Sequence, residues 1–232
     1  MVSRTEANVA HFNEAAVSYE TSEKIEIAEK AADAFFDLPG INFEGKRVLD
    51  FACGTGLISS FLLPKVGPKG EIIGIDTSQG MVNERFNRKF SGNSSKARAV
   101  CCNILSFQHE NTPETADLKD FDIIVVSAAY HHIDDSNHAT KCLVQRLRSG
   151  GKLLVFDLLN DGSSSHYFHD HVPNAKDIVS YQGGMTREHM KTAFQVAGLT
   201  NIHVDNACSR EKHIESIGQN ICFNFFVASG TK

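Results

Sequence analysis

The stretch KRVLDFACGTGLISSFL (46–62) decides the fold. A basic pair leads into an apolar segment that ends at Asp50 and Phe51, glycines interrupt it, and an apolar-rich run follows. That order reads as strand, tight turn, helix. A glycine turn at the tip of a parallel strand is a common seat for nucleotide-like ligands. Gly54 and Gly56 can take positive φ and let a ligand approach the backbone closely. The helix N-terminus that follows offers free N–H groups to a carboxylate or phosphate. Asp50 narrows the choice, because a carboxylate four residues before Gly54 repels a pyrophosphate but pairs with a cation. The turn therefore suits a ligand bearing both an ammonium and a carboxylate, an amino-acid moiety. Ser59 stands where a dinucleotide fingerprint needs its third glycine, and no Gly-Lys-Ser/Thr follows Gly54, which excludes a P-loop.

Working outward, short β-branched runs alternate with longer helical stretches. Strands are expected at 47–51, 71–76, 97–104, 121–129 and 151–159, with helices at 56–66, 78–90 and 136–148 between them. The fourth and fifth strands are nearly continuous apolar runs, as for strands covered on both faces. This rhythm gives an α/β, Rossmann-like, doubly wound parallel sheet with right-handed crossovers. Upstream, residues 22–36 carry apolar positions at helical spacing with Ser22 as the expected N-cap. Downstream, 160–184 is a polar, histidine-rich excursion, 187–199 is a helix capped by Thr186, and 201–207 and 220–229 are two strands too close for a crossover. An antiparallel hairpin fits that gap.

Asp76 closes the second strand twenty residues after Gly56, where an acidic residue can hold both ribose hydroxyls. The alternative is that Asp76-Thr77-Ser78 caps the next helix.

The bulk composition sets limits. At 232 residues, 41% apolar and 22% charged, the chain suits one sizeable domain or a domain with a cap. The net charge of −5 and the lack of a Lys/Arg cluster argue against nucleic acid as partner. Six cysteines form no C-x-x-C pair or zinc quartet, so neither a disulfide framework nor a structural metal is expected. With no apolar leader and no run of about 18 apolar residues, no membrane association is expected. The expected compartment is the cytoplasm, alone or with the nucleus, and the Asn93-Ser94-Ser95 sequon is expected to be accidental.

VLDFACGTG (48–56), Asp76 and FDIIVVSAAYHHIDD (121–135) together resemble the class I S-adenosylmethionine-dependent methyltransferases. Within them the chain is most similar to the ubiquinone/menaquinone-biosynthesis-type and type 11 domains. The resemblance implies a seven-stranded sheet of order 3-2-1-4-5-7-6 with strand 7 antiparallel. It divides the chain into an N-terminal helical lid (1–40) and a catalytic domain (41–232), and makes S-adenosylmethionine the cofactor and S-adenosylhomocysteine the product. Position by position, Asp50 and the turn Ala52, Cys53, Gly54 and Gly56 would hold the methionine part. Asp76 and Thr77 would hold the ribose, Met81 would pack on the adenine, and Asn103 with Ile104 would contact its edge. Asn103 departs from the family's usual Asp, though its carboxamide oxygen still accepts a hydrogen bond. Ser127 would lie under the methionine, and LRSGG (147–151) resembles the family's turn before strand 5, with Ser for Pro.

HFNEAAVSY (11–19) resembles the family's lid segment, placing Phe12 and Tyr19 over cofactor and substrate, or anchoring the N-terminal helix to the body. For the acceptor, His132 and then His131 are the candidate bases, and Tyr130, Asp157, Tyr167 and Phe168 the candidate substrate contacts. HYFHDH (166–171) invites a metal reading, but no carboxylate-rich or cysteine partner frames it, and no metal is expected. SAAY (127–130) replaces the N-P-P-[YF] signature of enzymes that methylate amino groups of nucleic acids or glutamine. The expected reaction is methyl transfer to a small molecule by in-line displacement, by a monomer or homodimer. The alternative is a protein or tRNA acceptor.

Overall fold

A computed structural model describes residues 3–106, 115–162, 164–170, 172 and 175–232. Its sheet has seven strands in the order β3-β2-β1-β4-β5-β7-β6: β1 (Arg47–Phe51), β2 (Glu71–Asp76), β3 (Ala97–Cys101), β4 (Phe121–Ser127), β5 (Leu147–Leu158), β6 (Thr200–Ile214) and β7 (Gln219–Thr231). β1 to β5 pair in parallel, and β7 runs antiparallel to both β5 and β6. The order and the antiparallel strand 7 are those the resemblance implies.

Successive strand residues bury on opposite faces, which is why the sheet is covered twice. Val48, Ile72, Val125 and Leu154 face a layer containing α2 (Ser22–Phe36), through Ala31 and Phe35, and α3 (Leu57–Val66), through Ile58 and Leu62. Leu49, Ile73, Ile124 and Leu153 face α5 (Ser136–Arg146) and α7 (Arg187–Val196), through Leu143, Met190 and Phe194. Two further helices, α4 (Asn87–Lys89) and α6 (Ala175–Ile178), are single turns. The expected lid divides by contact: α2 belongs to the core, whereas α1 (Arg4–Ala15) buries no residue fully.

Several boundaries move. The N-cap of α2 is Thr21, whose Oγ1 accepts from the Lys24 amide at 3.3 Å, not Ser22. β3 ends at Cys101 and β4 at Ser127, each short of expectation, because the chain turns into the site there. β5 begins at Leu147, so the LRSGG segment enters the sheet irregularly, with a register shift opposite Phe121 and Ile123. The hairpin strands run longer than expected, leaving only 215–218 as the connection. The helix expected over 78–90 is a π-helical turn, Gly80–Phe86, followed by α4. Asn13 of α1 helps set it: Asn13 Oδ1 accepts from Ser78 Oγ at 2.8 Å and from the Gly80 amide at 2.9 Å. Single π turns inside helices are frequent at functional sites.

Candidate active site

The tips of β1 and β4 carry the strain of the site. Ala52 (φ 58°) and Ala128 (φ 51°) are both left-handed, a conformation that costs a non-glycine residue about 1–2 kcal/mol. Both line two cavities that flank the tips, one of about 330 Å³ and one of about 200 Å³. The cavities meet along Phe12, Tyr19, Ala52, Gly54, Ser127 and His132.

In the turn after β1, the two glycines do different things. Gly54 (φ 52°) lines both cavities, and a Cβ there would meet open space. Gly56 (φ 80°) lines neither; a Cβ there would stand 2.7 Å from the Phe90 ring and 2.8 Å from Phe86. Gly56 therefore packs against the two rings, and its expected place in the ligand turn stays an expectation. Asp50 is 1% exposed, and Ser59 Oγ donates to its Oδ2 at 2.6 Å. Among the described residues its Oδ1, buried, has no hydrogen-bond partner. Burial pushes this carboxyl up to about 7, Ser59 pulls it down, and Asp76 adds to the rise. Cys53 lines the second cavity, with its thiol pushed up by burial, and packs against Gly74, where no Cβ would fit.

Asp76 organises the larger cavity. Its carboxylate accepts from the Gly54 amide and the Ser78 amide, each at 2.9 Å, so it ties the turn to the next element. Asp76 thus makes the local capping bond and also lines the cavity. Burial raises its pKa, and those amide bonds oppose the rise. Thr77, buried Met81, Asn103 and Ile104 line the same cavity. Asn103 Oδ1 already accepts from the Leu105 amide at 3.0 Å. Tyr19 meets the Phe12 ring edge-on at 6.2 Å, and burial pushes its phenol up to about 12.

The smaller cavity holds the histidines. His132 Nδ1 lies 2.8 Å from the Ile178 carbonyl oxygen, which only accepts, so Nδ1 carries the proton and Nε2 the lone pair. Burial, then the neighbouring His131, push the His132 pKa well below its ordinary value. Phe12 packs on its ring edge-on at 5.3 Å. His131 is buried, with Nδ1 2.5 Å from Asp157 Oδ1. Asp157 also accepts from the Leu158 amide at 2.7 Å, so it faces the cavity as a partner of His131. His169 Nδ1 donates to the Gln182 carbonyl at 3.0 Å, and its ring lies 5.0 Å from that of His131.

Two expected substrate contacts are elsewhere. Tyr130 is fully buried, its hydroxyl 3.0 Å from Thr140 Oγ1, and it lines neither cavity. The 3-10 turn Tyr130–His132 points its first side chain into the core and the next two at the cavity. Tyr167 packs on the core under His166, while its neighbour Phe168 does line the smaller cavity. Among the described residues no three His, Cys, Asp or Glu side chains are placed to hold a metal ion. His171 of the histidine-rich run lies outside the described residues.

Sequence reasoning missed Asn8 of α1, Cys102 and His138 in the larger cavity and Lys24 and Lys212 in the smaller one. One signal for α1 was present. Ser3 and Glu6 form a capping box, the Glu6 amide donating to Ser3 Oγ at 3.3 Å and the Ser3 amide to Glu6 Oε2 at 2.8 Å.

With this geometry in hand, known proteins fall into place. The family model of a methyltransferase domain matches residues 23–204. The chain is 37% identical over 161 residues to an uncharacterized methyltransferase of Schizosaccharomyces pombe, covering 69% of this chain and 55% of that protein. It is 30% identical over 176 residues to a ubiquinone/menaquinone biosynthesis C-methyltransferase of Vibrio vulnificus, covering 68% of this chain and 65% of that protein. The match thus spans less than two-thirds of either relative's length. In fold, the chain is similar to an S-adenosylmethionine-dependent methyltransferase from Aquifex aeolicus (TM-score 0.62, 16% identity, 94% of this chain and 97% of that one). It is also similar to phosphoethanolamine N-methyltransferase 2 of Haemonchus contortus in complex with S-adenosyl-L-methionine (TM-score 0.64, 16% identity, 87% of this chain and 52% of that one). An ammonium is what the orphaned Asp50 Oδ1 lacks, and ribose hydroxyls suit the Asp76 carboxylate, so the residues fit that cofactor. The chain belongs to the class I S-adenosylmethionine-dependent methyltransferases.

Proposed function

We propose that this protein transfers a methyl group from S-adenosylmethionine to a small-molecule acceptor held in the smaller cavity, with His132 receiving the acceptor's proton. The observation that carries the reading is the position of His132. It lies where the two cavities meet and presents an unprotonated Nε2. When bound, S-adenosylmethionine supplies an electrophilic methyl carbon on a positively charged sulfur.

The chain's own residues then divide the work. Asp50 Oδ1 takes the methionine ammonium, Asp76 the ribose hydroxyls, and Met81 with Ile104 the faces of the adenine. Ser127, shared by both cavities, borders the path between donor and acceptor. Phe12 and Tyr19 cover that path from the N-terminal side and exclude water. Holding both reactants in line supplies much of the acceleration. His132 stays neutral near pH 7 because it is half-buried among apolar and imidazole neighbours, so its lone pair is available for an O–H, N–H or acidic C–H proton. The His131–Asp157 pair, one ring away at 4.3 Å, positions it.

A small acceptor is favoured over a protein or tRNA by the size of the smaller cavity and its walls, which include Phe168, Phe225, Ile178 and Val179. That relatives of this chain are named as C-methyltransferases of quinone biosynthesis supports the same choice. The test is calorimetry with S-adenosylhomocysteine, followed by incubation of a small-metabolite library with methyl-labelled S-adenosylmethionine. Binding and label in a low-mass product are expected. No binding, or label only in protein or RNA, would overturn the reading.

A further inference from the structure

Cations gather on the wall of the smaller cavity built from α2 and β6. Lys24 on α2 and Lys212 on β6 both line it. Lys212 is 13% exposed, and its ammonium reaches Glu23 at 3.4 Å and the Phe168 carbonyl at 3.3 Å. Arg210, 17% exposed, draws on the same Glu23 at 3.1 Å and on Glu26 at 3.2 Å. Lys24 is half-buried, with Nζ 3.7 Å above the Tyr19 ring. Among the described residues, no carboxylate lies within 4 Å of that ammonium. Among the described residues, Glu23 is thus shared by Arg210 and Lys212 and Glu26 by Arg210 and Lys30, and Lys24 pairs with neither.

The other acids facing the cavity are committed. Asp157 is bonded to His131, and Asp50 sits with Ser59 in the donor half. Burial lowers the pKa of both lysines, and Lys212 deepens the effect at Lys24. A desolvated ammonium over an aromatic face is only partly compensated. An incoming anion would complete it. Phe168, Phe225, Val172 and Val179 supply apolar wall beside the pair.

We propose that Lys24 and Lys212 form a carboxylate-binding site for a ligand of the smaller cavity. The proposal rests on the methyltransferase reading for its two sources of carboxylate. One is the methionine carboxylate of the donor, on the side of Gly54 and Tyr19. The other is an acid group on the acceptor, on the side of Phe168.

The experiment uses the full chain and the variants Lys24→Met and Lys212→Met, which keep most of the apolar stem, with Lys→Arg at each position as rescue. Calorimetry first measures S-adenosylhomocysteine. The protein saturated with it is then titrated with benzoate and octanoate, each against its primary amide. A ten-fold or greater loss of S-adenosylhomocysteine affinity in either Met variant, restored by Arg, assigns the site to the donor's carboxylate. Unchanged S-adenosylhomocysteine affinity, with a ten-fold preference for acid over amide that Met removes and Arg restores, assigns it to the acceptor. The proposal is overturned if wild-type and Met variants bind S-adenosylhomocysteine alike and either no acid preference exists or it survives both substitutions. If wild-type protein ignores S-adenosylhomocysteine but still prefers acids through these lysines, the methyltransferase reading fails and the carboxylate site stands.

Discussion

Ser59 Oγ donates a 2.6 Å hydrogen bond to one oxygen of Asp50, and the other oxygen of that carboxylate is buried without a partner among the described residues. The pair explains how a carboxylate can be kept in the floor of a binding turn. Ser59 satisfies half of it from α3, and the other half is where the proposed donor's ammonium would sit. The carboxyl is pushed up to about 7 by burial.

Donor affinity is accordingly expected to depend on pH. Below about 7 the Asp50 carboxyl is protonated and has no charge to offer an ammonium. S-adenosylhomocysteine should bind several-fold more tightly at pH 8 than at pH 6, and binding at pH 6.5 should release a proton. Calorimetry in two buffers of different ionisation enthalpy measures both. Asp50→Asn should bind weakly at every pH and lose the pH dependence.

The same group makes a statement about the ligand-free protein. Its folded pKa lies above the ordinary value of 3.8, so the native state holds the proton more tightly than the unfolded chain. Its contribution to stability is complete below pH 3.8, shrinks as pH rises, and is gone above about 7. Asp50→Asn removes the buried charge, so at pH 8 the ligand-free variant should be the more stable one, by on the order of 2–4 kcal/mol, with the gap closing towards pH 5. Denaturant titrations at the two pH values check this, and a gap that widens on acidification would contradict it.

The two turn glycines should separate by phenotype. Gly56→Ala combines a left-handed alanine with contacts under 3 Å to Phe86 and Phe90, and should cost about 2–3 kcal/mol of stability. Gly54→Ala meets open space and should cost about 1 kcal/mol, yet weaken S-adenosylhomocysteine at least ten-fold because its methyl enters the cavity. Melting and calorimetry on both variants decide it.

His132 owes its low pKa to burial, and Phe12 supplies part of that cover. Phe12→Ala should move the His132 pKa back towards 6.5, read directly by NMR titration of the imidazole. His132→Gln should lower kcat for any proton-bearing acceptor by about 10²–10⁴-fold while leaving S-adenosylhomocysteine affinity near wild type. Equal losses in kcat and donor affinity would reassign His132 to binding.

Much of the architecture is legible in the text because it depends on local pattern. β1 and β2 run over Arg47–Phe51 and Glu71–Asp76 as expected, since glycines and acids punctuate β-branched runs there. The elements that depend on distant partners were not legible. α1 has no buried stripe, so periodicity does not reveal it. The π turn at Gly80–Phe86 involves Asn13, more than sixty residues upstream, and no local propensity encodes that contact. In Tyr-His-His (130–132) the sequence does not say which ring faces the cavity. The 3-10 turn makes Tyr130 a core residue bonded to Thr140 and leaves the two imidazoles facing the site.

The sequence by itself located the proposed donor side. Asp50, the glycine turn and Asp76 are spaced along two adjacent parallel strands, and parallel pairing brings such strand tips together whatever surrounds them. Only the tertiary structure formed the proposed acceptor side. Its walls come from α1, α2, the turn after β4, the 164–169 segment and β6, and no spacing in one segment encodes their meeting. Long-range packing set His131 on Asp157, turned His132 to the Ile178 carbonyl, and brought Lys24 and Lys212 to the same cavity.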